Sequence, residues 1–177
     1  NSKIFYFISS SSYQIIIYLG MIIFISKQLI ILKNTDLKIY VLNLAELNSK
    51  VDIYLTPYLN LYLIWNKGIA FGLLSFEESF VYNATTLVII LVSLVVLIMV
   101  IRTNGFVRYS FISIFGGSLG NLFDRIYYTA VPDFIDFHIN GFHWFIFNVA
   151  DIFITTGVIC LIYAEIFFNK EKNDKTL

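Results

Sequence analysis

Residues 84–101 read Ala-Thr-Thr followed by an almost unbroken run of Leu, Val and Ile, with no charged side chain. About 20 apolar residues in helical form cross the hydrocarbon core of a bilayer. Three further stretches come close to that length. Residues 13–32 carry Ser26, Lys27 and Gln28 near their end. Residues 106–123 are rich in small side chains (Gly116, Gly117, Ser118, Gly120) and run into Asn121 and Asp124-Arg125. Residues 145–168 contain Asn148, Asp151 and Glu165. The chain is 58% hydrophobic and 14% charged, against about 45–50% and 25% for soluble domains. The expected fold class is mainly α and integral to the membrane: four transmembrane helices in one domain, 1–177.

Twelve basic and twelve acidic side chains cancel, so no bulk charge draws the protein to nucleic acid. The single cysteine, Cys160, cannot form an intramolecular disulfide. Aromatics reach 18%, suiting belts at the membrane interfaces. No signal-peptide cleavage pattern is evident, so the first apolar stretch reads as a retained anchor.

Loop charges orient the spans. Arg102 and Arg108 lie in the short link between spans two and three, and Lys170, Lys172 and Lys175 follow span four. Short basic loops stay cytoplasmic, which puts both termini inside and the loops 33–82 and 124–144 outside. Those outer loops carry strand signals. Leu59-Asn60-Leu61-Tyr62-Leu63 alternates, and 51–65 reads as one or two strands. In 133–139, Phe134, Asp136 and His138 alternate with Ile135, Phe137 and Ile139. Asn140-Gly141, a favoured two-residue hairpin turn, then leads into 142–147. A small extracytoplasmic β-sheet on the outer membrane surface is the expectation.

Ionisable groups at membrane depth are costly, so acids there call for a reason. Asn148 and Asp151, three apart, share one helix face; a cap explains one of them, but not both if the helix starts near Phe145. Asp133 and Asp136 are also three apart, in a strand-like segment. They point to opposite faces, and spacing alone does not choose which meets Asp151. Two acids together with no cation dedicated to each form a proton-sharing pair, the chemistry of aspartic proteases.

Other motifs have blander readings. Gly116-Gly117-Ser118-Leu119-Gly120 matches the G-x-S-x-G nucleophile elbow, which requires a preceding strand. Here the run sits inside a helix-length apolar segment, where small residues serve close helix packing. His138 and His143 read as interfacial side chains, since no carboxylate–histidine spacing supports a zinc site. Asp124-Arg125 reads as a self-neutralising pair with Arg125 snorkelling outward.

Four segments taken together resemble signal peptidase II, the membrane aspartic protease family that processes bacterial prolipoproteins. They are Asn66-Lys67-Gly68-Ile69-Ala70-Phe71-Gly72, the stretch from Gly116 through Asn121-Leu122-Phe123-Asp124-Arg125, Val131-Pro132-Asp133-Phe134-Ile135, and Phe147-Asn148-Val149-Ala150-Asp151. They stand in the family's order, across about 66–157. The resemblance implies that Asp133 and Asp151 form the catalytic dyad and that Asp136 has a supporting role. It implies that Asn66, Asn121, Arg125 and Asn148 surround the dyad, and that Gly68, Ala70, Phe71, Gly72 and Gly117 shape the substrate groove. Lys27 aligns with a lysine late in the first span, but Ile23 stands where the family usually has Asp. Pro132 replaces the usual apolar residue, which an extended segment tolerates.

By the same resemblance the substrate is a prolipoprotein carrying diacylglycerol on its cysteine, cut on the amino side of that cysteine. The partners are that substrate and membrane lipid, with no metal and no organic cofactor; a monomer is the expected form. The location is the bacterial cytoplasmic (inner) membrane, with the site at the outer face. The rival is a small proton-coupled carrier using Asp151, which calls for acids near the midplane and an aqueous path on both sides.

Overall fold

A computed structural model describes residues 36–47, 50–68 and 79–174, without the side chains of 79, 81 and 168–174. Four helices and four strands follow in the order α1 (Asp36–Leu47), β1 (Asp52–Thr56), β2 (Leu59–Asn66), α2 (Ser79–Arg102), α3 (Gly105–Tyr128), β3 (Val131–Ile139), β4 (Phe142–Phe147) and α4 (Val149–Asp174). The expected first span, 13–32, with Lys27 and Ile23, lies outside the described residues, as do Ala70, Phe71 and Gly72.

The charge-free run folds as α2. Its β-branched residues are mediocre helix formers in water, but in lipid a helix is the way for one segment to satisfy its own backbone. Leu87, Val88, Leu91, Val92, Leu94, Val95 and Ile98 are exposed along it. So are Ile152, Ile159, Ile162, Ile166 and Phe167 along α4. Apolar surface this continuous is untenable in water and suits hydrocarbon. Tyr82–Arg102 and Val149–Phe167 are each long and apolar enough to cross a membrane.

Helix α3 lies between those two and is stitched to both. Val100 of α2 packs with Ile112 and Phe115 of α3 in a buried cluster. Against α4 the contact is close because glycines remove the obstacle. A Cβ on Gly117 would stand 2.5 Å from the Ala150 carbonyl oxygen, and one on Gly157 would stand 2.7 Å from the Ser110 carbonyl oxygen. Ser113 Oγ adds a hydrogen bond to the Phe153 carbonyl at 2.9 Å. The small residues of α3 thus act as the sequence suggests, by bringing helices together.

All four strands pair antiparallel in the order β1-β2-β3-β4. The β3–β4 turn is the expected Asn140-Gly141, with φ of 50° and 78°, the left-handed pair of a type I′ hairpin. Pro132 is the second residue of β3, opposite Trp65. It sits near the strand start, where a missing N–H is cheapest. Val41 of α1 joins Val51, Leu61 and Phe134 in a second buried cluster, so α1 clamps the sheet.

Several boundaries differ from the sequence reading. The segment 33–82, read as one outer loop with one or two strands in 51–65, holds two strands there as expected but also contains helix α1, and α2 begins at Ser79. Helix α3 runs to Tyr128, so Asp124 and Arg125 are helical instead of opening a loop. The last helix begins at Val149 because β4 holds Phe145 to Phe147 in extended form.

Candidate active site

Asn66 ends β2, Asp133 is the third residue of β3, and the register pairs Asn66 with Val131. This antiparallel neighbourhood brings Asn66 Nδ2 to Asp133 Oδ2 at 2.9 Å. The Asn66 Oδ1 is engaged as well, accepting the Gly68 N–H at 2.9 Å. The amide therefore cannot turn without losing a turn-forming bond, and its donor end is fixed on the carboxylate. Asparagine is the residue that supplies an acceptor for the backbone and a donor for the acid at once.

Asn148 repeats this logic at the start of α4. Its Oδ1 accepts the N–H groups of Ala150 at 2.7 Å and Asp151 at 3.3 Å, as an N-cap does. Its Nδ2 donates to Asp133 Oδ1 at 2.7 Å. Its backbone N–H donates to Asp151 Oδ2 at 3.1 Å, closing a reciprocal capping box. Because the helix starts at Val149, one cap accounts for both residues, contrary to the expectation built on a start near Phe145. The other oxygen of Asp151 accepts from Asn121 Nδ2 at 2.8 Å. Each oxygen of each carboxylate thus receives one amide N–H.

Asp133 and Asp151 line a single cavity of about 290 Å³ with Asn66, Asn121, Asn148, Arg125 and Gly68. Its remaining wall is largely apolar, from Val88 and Val92 of α2 and Ile154 of α4. A few converging polar groups in an apolar concavity are the common form of a reactive site. Asp133 is 3% exposed, and its carboxyl is pushed up to about 6. Burial is the main cause, opposed by the amides of Asn66 and Asn148 and reinforced by the negative charges of Asp151 and Asp124.

Arg125, fully buried, does not snorkel. It donates from a terminal nitrogen to the Lys67 carbonyl at 3.1 Å, and its guanidinium lies 5.1 Å from the Tyr82 ring centre. The Tyr82 hydroxyl donates back to the Arg125 carbonyl at 2.6 Å. Nor do Asp124 and Arg125 neutralise each other. Asp124 is paired with Lys38 of α1, both nearly fully buried, and Lys38 also lies over the Tyr128 ring at 5.3 Å. Sequence reasoning missed Lys38; a helical Asp facing inward demands a cation, but nothing local says which.

Asp136, which spacing could not separate from Asp133, diverges from it. Its Oδ2 lies 2.8 Å from His143 Nδ1 and outside the cavity lining. Ser118 lines the cavity in the interior of α3, with no strand before it to make an elbow. Gly117 faces Ala150 and Ile154 and sets the spacing of α3 and α4.

A family profile described as signal peptidase (SPase) II matches residues 15–167. A lipoprotein signal peptidase of Pelagibacter ubique is 52% identical over 158 residues, which cover 89% of this chain and 93% of that protein. The lipoprotein signal peptidase of Anaplasma phagocytophilum is 39% identical, over 73% of this chain and 81% of its own. A solved structure described as a bacterial membrane enzyme superposes with a TM-score of 0.65 at 26% identity, over 86% of this chain and 91% of that one. With a match that runs through every element of the cavity, the chain belongs to the signal peptidase II family.

Proposed function

We propose that Asp133 and Asp151 are the catalytic dyad of this membrane peptidase and that they activate a water molecule against a peptide bond. The protein is a protease that removes signal peptides from prolipoproteins. The observation that carries the dyad is that one residue, Asn148, donates to both carboxylates at the edge of one cavity. Two acids so placed cannot both ionise cheaply, and they titrate as a coupled pair sharing one proton. The ionised member takes a proton from water as its oxygen attacks the scissile carbonyl; the protonated member donates to that carbonyl. When the tetrahedral species collapses, the C–N bond breaks and the nitrogen leaves with a proton returned by the dyad.

The substrate groups follow from the surroundings. Val88, Val92 and Ile154 offer the cavity's apolar wall to a signal-peptide helix or acyl chain. Asn121 Oδ1 and Arg125 Nε are buried beside the cavity without a partner among the described residues, an acceptor and a donor available to a peptide backbone after small rotations. The cut falls on the amino side of a cysteine carrying diacylglycerol. The chain forms four spans with both termini cytoplasmic, in the bacterial inner membrane. The sheet lies on the outer surface, where exposed Tyr54, Tyr58, Trp65, Phe142 and Trp144 provide an interfacial aromatic rim. Clustering of both acids at the sheet end of α4 supports this reading over a carrier, which needs its acid accessible from both sides.

A gel-shift assay on a purified precursor tests the reading. The diacylglyceryl-modified form should be shortened and the unmodified form left intact, with the released peptide ending just before the cysteine. Equal processing of both forms, or of neither, contradicts it.

A further inference from the structure

Away from the dyad cavity, the β3–β4 hairpin assembles three groups that the dyad chemistry does not use. Asp136 and His138 are two apart on β3, and His143 stands opposite His138 on β4. Side chains at i and i+2 share a strand face, and a cross-strand partner falls within about 5 Å of them. The result is a carboxylate oxygen and two imidazole nitrogens within 4.8 Å of one another. Asp136 Oδ2 is 2.8 Å from His143 Nδ1 and 3.7 Å from His138 Nδ1.

A hydrogen bond between Asp136 and His143 satisfies only part of this cluster. Asp136 Oδ1 and His138 Nδ1 are both buried and have no hydrogen-bond partner among the described residues. Orphaned buried polar atoms are uncommon and mark a missing ligand, water or ion. A tetrahedral zinc ion with bonds of about 2.0–2.1 Å holds its ligand atoms about 3.3 Å apart. Two of the three ligand separations, 2.8 and 3.7 Å, lie on either side of that value, and the third is no more than 4.8 Å. His143 is 57% exposed, which leaves the site an entry and room for a water as fourth ligand. Two imidazoles and one carboxylate suit zinc, whereas magnesium and calcium take oxygen ligands.

We infer that Asp136, His138 and His143 form a zinc-binding site that cross-links β3 to β4. The ion bridges the strand that carries Asp133 and the strand that leads into Asn148. Its role is to hold the hairpin, and the peptide-bond chemistry does not pass through it.

The test uses full-length protein without a histidine tag, stripped of metal by a chelator and held in detergent. Titration with zinc chloride should show one ion per chain, bound at about micromolar strength or tighter. It should raise Tm by about 5 °C at a hundredfold excess over Kd. His143→Ala and His138→Ala, each verified as folded by its unfolding transition, should weaken binding by at least about tenfold and abolish the Tm shift. Magnesium and calcium should neither bind nor compete. Equal zinc binding by wild type and His143→Ala would overturn the site, as would no binding by wild type up to about 100 µM.

Discussion

The Asn148 side-chain amide donates to Asp133 Oδ1 at 2.7 Å while the Asn148 backbone N–H donates to Asp151 Oδ2 at 3.1 Å. Capping and dyad alignment are therefore one interaction set, and they can be separated by substitution. Asn148→Ala removes the cap and the link to Asp133, and should cost about 1–2 kcal/mol of stability. Asn148→Asp keeps a good cap but turns a donor on Asp133 into a third acid. Cleavage should fall about a hundredfold or more in both variants, while Tm falls mainly in the first. If Asn148→Asp cleaves as wild type does, the amide is only a cap.

Burial of Asp133 should weaken the fold at neutral pH. Its folded-state pKa is about 6 against 3.8 unfolded, so the native state holds the proton more tightly. The stability this adds is fully present below about pH 4 and is lost as pH rises through 6, about 3 kcal/mol in all. Asp133→Asn, neutral at every pH, should be inactive and should lose the stability change that wild type shows between pH 4 and pH 6. An equal loss of stability across that range in both proteins would refute the desolvation account.

Gly117 and Gly157 meet similar obstacles on the α3–α4 seam, 2.5 Å and 2.7 Å from carbonyl oxygens. Alanine at either position should cost about 1–3 kcal/mol by overpacking. Their effects on cleavage should differ. Gly117→Ala pushes on Ala150, the neighbour of Asp151, and disturbs the 2.8 Å bond from Asn121; Gly157→Ala acts about two turns further from the dyad. Turnover should drop more for Gly117→Ala at matched stability, and equal turnover would mean the seam does not position Asp151.

Lys38 and Asp124 should be worth more as a pair than either alone. Lys38→Met strands a buried carboxylate and should cost about 3–5 kcal/mol, much of it recovered in Lys38→Met with Asp124→Leu. Chemical or thermal unfolding of Lys38→Met, Asp124→Leu and the double variant completes the cycle; additive losses would show that the two do not interact.

The charge-free run, the helix-packing glycines and the Asn140-Gly141 hairpin were legible in the sequence because each depends on local pattern. Helix α1 was not: Lys38 and Val41 are its buried side chains, and one of them is charged, so the apolar periodicity is too thin to read. The site was legible as residue types and order. Spacing left Asp133 and Asp136 equivalent, because the choice depends on β2 presenting Asn66 and on α4 beginning at Val149 with Asn148 as its cap. The same is true of His143, whose partners come from across a turn and have no linear signature.

The proposed dyad requires Asp133 and Asp151 to act together in cutting the signal peptide. Its most direct measurement is single-turnover cleavage of a diacylglyceryl-modified precursor by wild type, Asp133→Asn, Asp151→Asn and Ser118→Ala, each verified as folded. Either Asp→Asn change should lower the rate at least about 10⁴-fold while Ser118→Ala stays near wild type. Full cleavage by Asp133→Asn or by Asp151→Asn would contradict it.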